Sequence, residues 1–301
     1  MLVHFYIIPE SFTTNENDIS RLTNSLEAFL DDYGNMLEYQ QDNKIIITED
    51  TYSATLTSEG ITLADYIFNI PNEIQGKERE MRNALSRILS KLPPKKKSIE
   101  EINNEICDNN EDKCTGIISM IPIDGIAEQN QIVYDKKSWF DFRRLHLGAY
   151  PGAPNNFIDE CKKYYIDFFF HDNNYCSIKP ILKDFSNKII YHLSALHDIF
   201  PKVKSDNPTA NHSTLLKTFS KEARLDDDAS LQGKSKSNGN FQFAFIDING
   251  NPINLICEPH LKLCKNDTEN GHFYDHRIYF HFGHNNVLDG KMLIAHIGHH
   301  L

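Results

Sequence analysis

Six side chains between positions 258 and 281 have the types needed for phosphodiester chemistry: Glu258, His260, Lys262, Arg277, Tyr279 and His281. They fall at alternate positions, the period that brings side chains to one face of a β-strand. Cleavage by attack of the adjacent 2′-hydroxyl needs a base for that proton, an acid for the leaving oxygen and cations for the charge growing on phosphorus. Glu258 or His260 is the candidate base and His281 the candidate acid. Lys262 and Arg277 are the candidate clamp, and Tyr279 would stack on a base or orient the phosphate. This chemistry calls for no cofactor and no metal.

The residues between them are apolar, so strands must carry the set. Leu261 and Leu263 alternate with His260 and Lys262, and Ile278, Phe280 and Phe282 alternate with Arg277, Tyr279 and His281. Upstream, Phe241 to Ile248 and Pro252 to Cys257 flank Asn249-Gly250, a hairpin signal. The return strand is expected to run on through Glu258 to Cys264, with Pro259 marking an edge or a bulge. A last strand follows at Met292 to Ile297. Eight of the fourteen histidines lie in 241–301. Two metal-dependent alternatives use the same stretch: a nuclease core built on Asp247 and Glu258, and a zinc site of His260, His281 and His296 with Glu258.

The preceding two hundred residues read as α+β. Leu2 to Ile8 is an apolar strand, Asn17 to Tyr33 an amphipathic helix, Asn43 to Thr48 and Tyr52 to Thr57 strands, and Lys77 to Leu92 a helix closed by Pro93-Pro94. Gly116 to Ile121 and Gln131 to Tyr134 are further strands. Ser138 to His146 mixes aromatic and basic residues, as a nucleic-acid surface would, but Trp139, Phe142 and Leu145 also fit a core-facing helix with exposed arginines. Ser177 to Phe200 is the longest periodic helix, with His192 and His197 beside its stripe. Residues 202–240 turn polar. Gly233-Lys234-Ser235 lacks the earlier glycine and the preceding strand of a phosphate loop.

The expected class is therefore α+β: an N-terminal α/β module (1–93), a polar linker (94–114), a helix-rich middle (115–201), a flexible polar connector (202–240) and a C-terminal antiparallel sheet bearing the candidate active face (241–301). The net charge of −11 disfavours indiscriminate nucleic-acid binding and leaves room for a local basic patch. The six cysteines occur singly, as reduced thiols do, and no apolar run of membrane-spanning length is present, so a cytoplasmic protein is expected.

The succession of Lys262, Arg277-Ile278-Tyr279-Phe280, a turn, and Leu293-Ile294-Ala295-His296-Ile297-Gly298-His299-His300 resembles the closing strands of the RelE/ParE superfamily of bacterial toxins, many of them ribosome-dependent messenger-RNA endonucleases. Lys262, Arg277, Tyr279 and the 296–300 tail fall on that family's basic and aromatic positions. The resemblance implies a bacterial toxin or antiviral defence effector with metal-independent endoribonuclease activity. Its partners would be RNA or the ribosome and a protein that controls activity. The alternatives are a non-catalytic interaction subunit of a defence assembly and a metal-dependent nuclease.

Overall fold

Ile45-Ile46-Ile47 is buried on both sides of its strand, which is how a parallel sheet covered by helices on two faces reads in sequence. In the computed structural model, residues 2–14, 18–39, 44–71, 73–108, 113–126, 129–232, 241–264, 266–268, 271–273 and 275–301 are described. They form two units, Met1–Arg143 and Arg144–Leu301.

The first unit runs β1 (Leu2–Ile7), α1 (Ile19–Tyr39), β2 (Lys44–Thr48), α2 (Leu63–Phe68), α3 (Gly76–Leu89), β3 (Pro94–Lys95), α4 (Ile99–Cys107), β4 (Lys113–Ile118), β5 (Ile132–Val133) and the start of α5 (Lys136–Ala149). Its sheet has the order β3-β2-β1-β4-β5 and every pairing is parallel. That is the order of a doubly wound sheet. Phe5 meets Phe142 on one face, with ring centroids 4.9 Å apart, while Tyr6 and Ile8 pack with Ile102 and Ile106 of α4 on the other. Gly116 is required between them: a Cβ there would lie 2.8 Å from the Phe5 ring and 2.9 Å from Phe142.

Three expectations change here. The 94–114 linker contains β3 and α4, because Ile102 and Ile106 make a buried helical pair and Ser98 and Glu101 form a capping box. Residues 113–133 belong with the N-terminal sheet, since β4 pairs with β1. Tyr52 to Thr57 is no strand: a 3-10 turn at Thr51–Ser53 replaces it, with the Thr51 hydroxyl donating to the Ile7 carbonyl at 3.0 Å.

The second unit contains α6 (Pro154–Tyr164), β6 (Phe168–Phe170), α7 (Asn174–Ser177), α8 (Leu182–Asp198), α9 (Phe200–Asp206), α10 (His212–Glu222), β7 (Gln242–Ile246), β8 (Pro252–Ile256), β9 (His260–Lys262), β10 (Asn266–Thr268), β11 (Gly271–Phe273), β12 (His276–His281) and β13 (Met292–His299). Four strands make the sheet β6-β13-β12-β9, antiparallel except where β13 runs parallel to β6. Leu261, Ile278, Phe280, Ile294 and Ile297 bury one face against the helices, including Ile189, Leu193 and Phe219. At a typical 1.5–3 kcal/mol per buried large side chain, this layer fixes the sheet's orientation.

Differences from expectation again have local causes. Pro180 interrupts the long helix, giving α7 and α8 in place of one element from Ser177 to Phe200. The 202–240 connector holds α9 and α10, with Leu215, Leu216 and Phe219 buried and Asn211 capping the Thr214 amide; 233–240 lies outside the described residues. Arg143 and Arg144 are buried. Arg144 donates to both carboxylate oxygens of Asp198 and to the Tyr164 carbonyl. Among the described residues, no helix is long and apolar enough to cross a membrane.

Candidate functional site

The Asn249-Gly250 hairpin forms, with Gly250 at φ 81° and the Asp247 carboxylate accepting the Asn249 and Asn251 amides. Asp247 is thereby spent on its own turn. The return strand stops at Ile256, and β9 starts separately at His260. Pro259 causes the break, having no N–H for a ladder; its carbonyl accepts the Phe280 amide at 2.9 Å. The β7–β8 hairpin places Phe245 and Leu255 against Leu293 and Ala295, on the sheet face away from the helices.

The rest of that face carries polar chemistry. Register pairs Arg277 with Lys262 and Tyr279 with His260 across β9 and β12, and Tyr279 with His296 and Arg277 with Gly298 across β12 and β13. His260, Tyr279 and His296 therefore form one row and Lys262, Arg277 and Gly298 the next. The Tyr279 ring lies 5.2 Å from His260, 5.9 Å from His296 and 5.5 Å from Phe241. Gly298 leaves necessary space: a Cβ would sit 2.6 Å from the Ser177 carbonyl oxygen and 2.8 Å from His296 Nε2.

Of the six predicted residues, His260, Lys262, Arg277 and Tyr279 come together. Arg277 Nη1 donates to Gln232 Oε1 at 3.0 Å, to His260 Nε2 at 3.2 Å and to the Tyr279 hydroxyl at 3.3 Å. His260 Nδ1 lies 3.0 Å from the Glu258 carbonyl, so it carries the proton and leaves Nε2 to accept. Ser230 Oγ lies 3.1 Å from the same Nε2. His296 is also held at both nitrogens, by Asn173 at 3.0 Å and by the His299 carbonyl at 2.9 Å.

Two predicted residues depart from the set. Glu258 precedes β9 and supplies its backbone carbonyl to His260. His281 ends β12 beyond the β9 pairing and neighbours His212, His284 and Lys204. The zinc alternative fails on the same separation, since among the described residues no three His, Cys, Asp or Glu side chains converge to hold a metal.

Electrostatics separates clamp from acid and base. Burial pushes His260 down to about 3, with Arg277 and Lys262 adding to the shift, so its imidazole is neutral near pH 7. Burial also lowers His296 and raises Tyr279. Lys262 is lowered by burial first; Asp227 attracts its charge and Arg277 opposes it. Among the described residues Arg277 has no ion pair, and its buried Nε has no hydrogen-bond partner. The described side chains of the face thus assemble a cationic clamp beside an aromatic ring.

Sequence reading missed Gln232, Ser230 and Asn173, which approach from loops and carry no periodic signal, and placed Phe241 in a strand without its contact to Tyr279. It also missed the sheet reversal between β1 and β4, a place where open parallel sheets bind ligands. There Ser11 accepts at its carbonyl from the Met120 amide (2.9 Å) and the Ser119 hydroxyl (3.2 Å), and no glycine-rich turn follows β1. Comparison of the chain with protein-family models, with curated proteins and with solved structures yields no match.

Proposed function

We propose that the protein binds RNA through its phosphates on the Lys262–Arg277 face, as the RNA-contacting part of a toxin or defence effector. The observation that carries this reading is Arg277, a part-buried guanidinium surrounded by neutral partners, opposite Lys262 and beside Tyr279 and His260. A cation compensated by neutral groups retains field for an incoming phosphate. His260 acts here as a positioning residue for Arg277. Cleavage, on this reading, depends on a group supplied from outside the face, as a ribosome-dependent endonuclease would require.

Fluorescence anisotropy of end-labelled single-stranded RNA over a salt series tests it. Arg277→Gln should weaken binding about tenfold and reduce the salt slope by about 1. Wild-type affinity unchanged in Arg277→Gln and Lys262→Gln would overturn the assignment. Parallel gels with and without chelator, and with and without ribosomes, report on cleavage.

A second reading, a subunit that docks a protein, is favoured by the outer side of the β7–β8 hairpin. Ile246 and Ile248 there are 60% and 66% exposed, and Ile256 is 43% exposed. A wild-type protein that binds no RNA, and that associates with a protein partner in a way abolished by Ile246→Lys and unaffected by Arg277→Gln, would favour this reading.

A further inference from the structure

β9 pairs with β12 only as far as Tyr279 and His260, so the end of β12 at His281 has no strand on that side among the described residues. The turn between α9 and α10 lies over the gap, and a cavity of about 720 Å³ remains. That volume is in the range of small-molecule sites, roughly 300–1,000 Å³. Pro208, Leu215 and Phe282 supply its apolar wall, and Lys204, His212 and His281 its polar one; no carboxylate lines it.

The polar groups differ in what they have left to offer. His281 Nδ1 is buried without a hydrogen-bond partner. Lys204 touches only the Phe282 carbonyl, at 3.4 Å, and its side chain is otherwise exposed. The His212 ring lies 4.5 Å from the Phe282 ring, inclined at 50°, so the two form an aromatic corner. Burial and the nearby His284, His212 and Lys204 hold His281 below its ordinary range, so it meets a ligand as a neutral imidazole able to donate or accept. A planar aromatic group against the Phe282–His212 corner, an anion at Lys204 and a polar edge at His281 would use every one of these groups.

We propose that this cavity binds a nucleoside monophosphate, with the base at Phe282 and His212, the phosphate at Lys204 and a hydroxyl or base edge at the His281 imidazole, which lines the cavity. The site is separate from the Arg277 face and does not depend on RNA binding there. The same chemistry is presented by a free nucleotide and by the terminal nucleotide of an RNA.

Titration calorimetry of the full chain with AMP and UMP, with adenosine and with inorganic phosphate tests the assignment. At least one nucleotide should bind saturably, about tenfold or more tighter than the nucleoside or phosphate alone. Lys204→Gln and His281→Phe should each weaken it about tenfold, while Arg277→Gln changes it less than about twofold. Competition by a linear RNA with a 5′-phosphate, but not by its circular form, would identify RNA ends as the source; competition by neither would identify the free nucleotide.

Lys204 is exposed, so Lys204→Gln should melt like the wild type and decides the question by itself if His281→Phe fails to fold. No heat with either nucleotide up to about 5 mM, binding of phosphate as tight as that of the nucleotides, or binding unaltered in a folded Lys204→Gln protein would overturn the proposal. Loss of nucleotide binding with RNA binding intact, or the reverse, separates this site from the Arg277 face.

Discussion

His260 and His281 lie in the same four-stranded sheet, and burial lowers the proton affinity of both, yet they occupy opposite situations. Both His260 nitrogens are engaged, by the Glu258 carbonyl and by Ser230 and Arg277. His281 has a buried nitrogen with no partner, beside a cavity. Burial with partners marks a group that holds the fold and orients a neighbour. Burial without a partner marks a polar group whose desolvation the fold leaves uncompensated.

Truncation should break the pair apart most strongly. His260→Ala removes a core ring and strips Arg277 and Ser230 of an acceptor, so it should cost about 3 kcal/mol, whereas His281→Ala should cost less than about 1 kcal/mol. Urea unfolding followed by circular dichroism measures both, and equal losses would collapse the distinction. Gly298→Ala comes next, at about 2 kcal/mol, because the new methyl meets a backbone carbonyl oxygen that cannot swing away.

Acid sharpens the contrast at a larger scale. His260 and His192 are held to about 3 and about 4, against an ordinary 6.5, so the unfolded chain takes up protons that the folded one refuses. Their contribution to stability is complete above pH 6.5 and is lost as pH falls toward 4 and then 3, by up to about 1.4 kcal/mol per pH unit for each. Asp32, in the N-terminal unit, works in the opposite sense. Burial raises it from 3.8 to about 6, so the folded form binds its proton first and acidification through that window favours folding. Hydrogen exchange at pH 7 and pH 5 should show the C-terminal unit losing protection and the N-terminal unit holding it.

The smallest expected effect is that of Asn173→Ala, which frees His296 Nδ1 at a cost of about 1 kcal/mol. The His299 carbonyl still accepts from Nε2, so imidazole nitrogen shifts in the NMR spectrum should show His296 keeping its Nε2–H tautomer with only the Nδ1 resonance moved, and His260 unchanged.

Much of the candidate face was legible because strand alternation is local. Period two placed Arg277, Tyr279, His260 and Lys262 on one side, and the observed register joins them. The same alternation misassigned His281, since it says which side a residue takes and nothing about where the neighbouring strand ends. Glu258 departs for a related reason: alternation marks Pro259 as an edge or a bulge, whereas it is the break between two strands. The N-terminal sheet was legible as strands and helices, while its order was not, because β3 and β5 are two residues each and the polar stretch between Pro93 and Lys113 hides the Ile102–Ile106 pair. Gln232 and Asn173 could be found only by folding the chain.

The parallel pairing of β6 with β13 has a kinetic consequence. Asn173, just after β6, bonds to His296 across 123 residues of chain, and Asn174 reaches the Ile294 carbonyl across 120. Helices α6 to α10 have mostly local contacts and can form early, whereas the sheet waits for that long loop to close. Until then Phe280, Ile294 and Ile297 have no settled place to bury. Refolding from denaturant should therefore gain helical signal first and sheet packing later, with a helix-rich species exposed to aggregation in between.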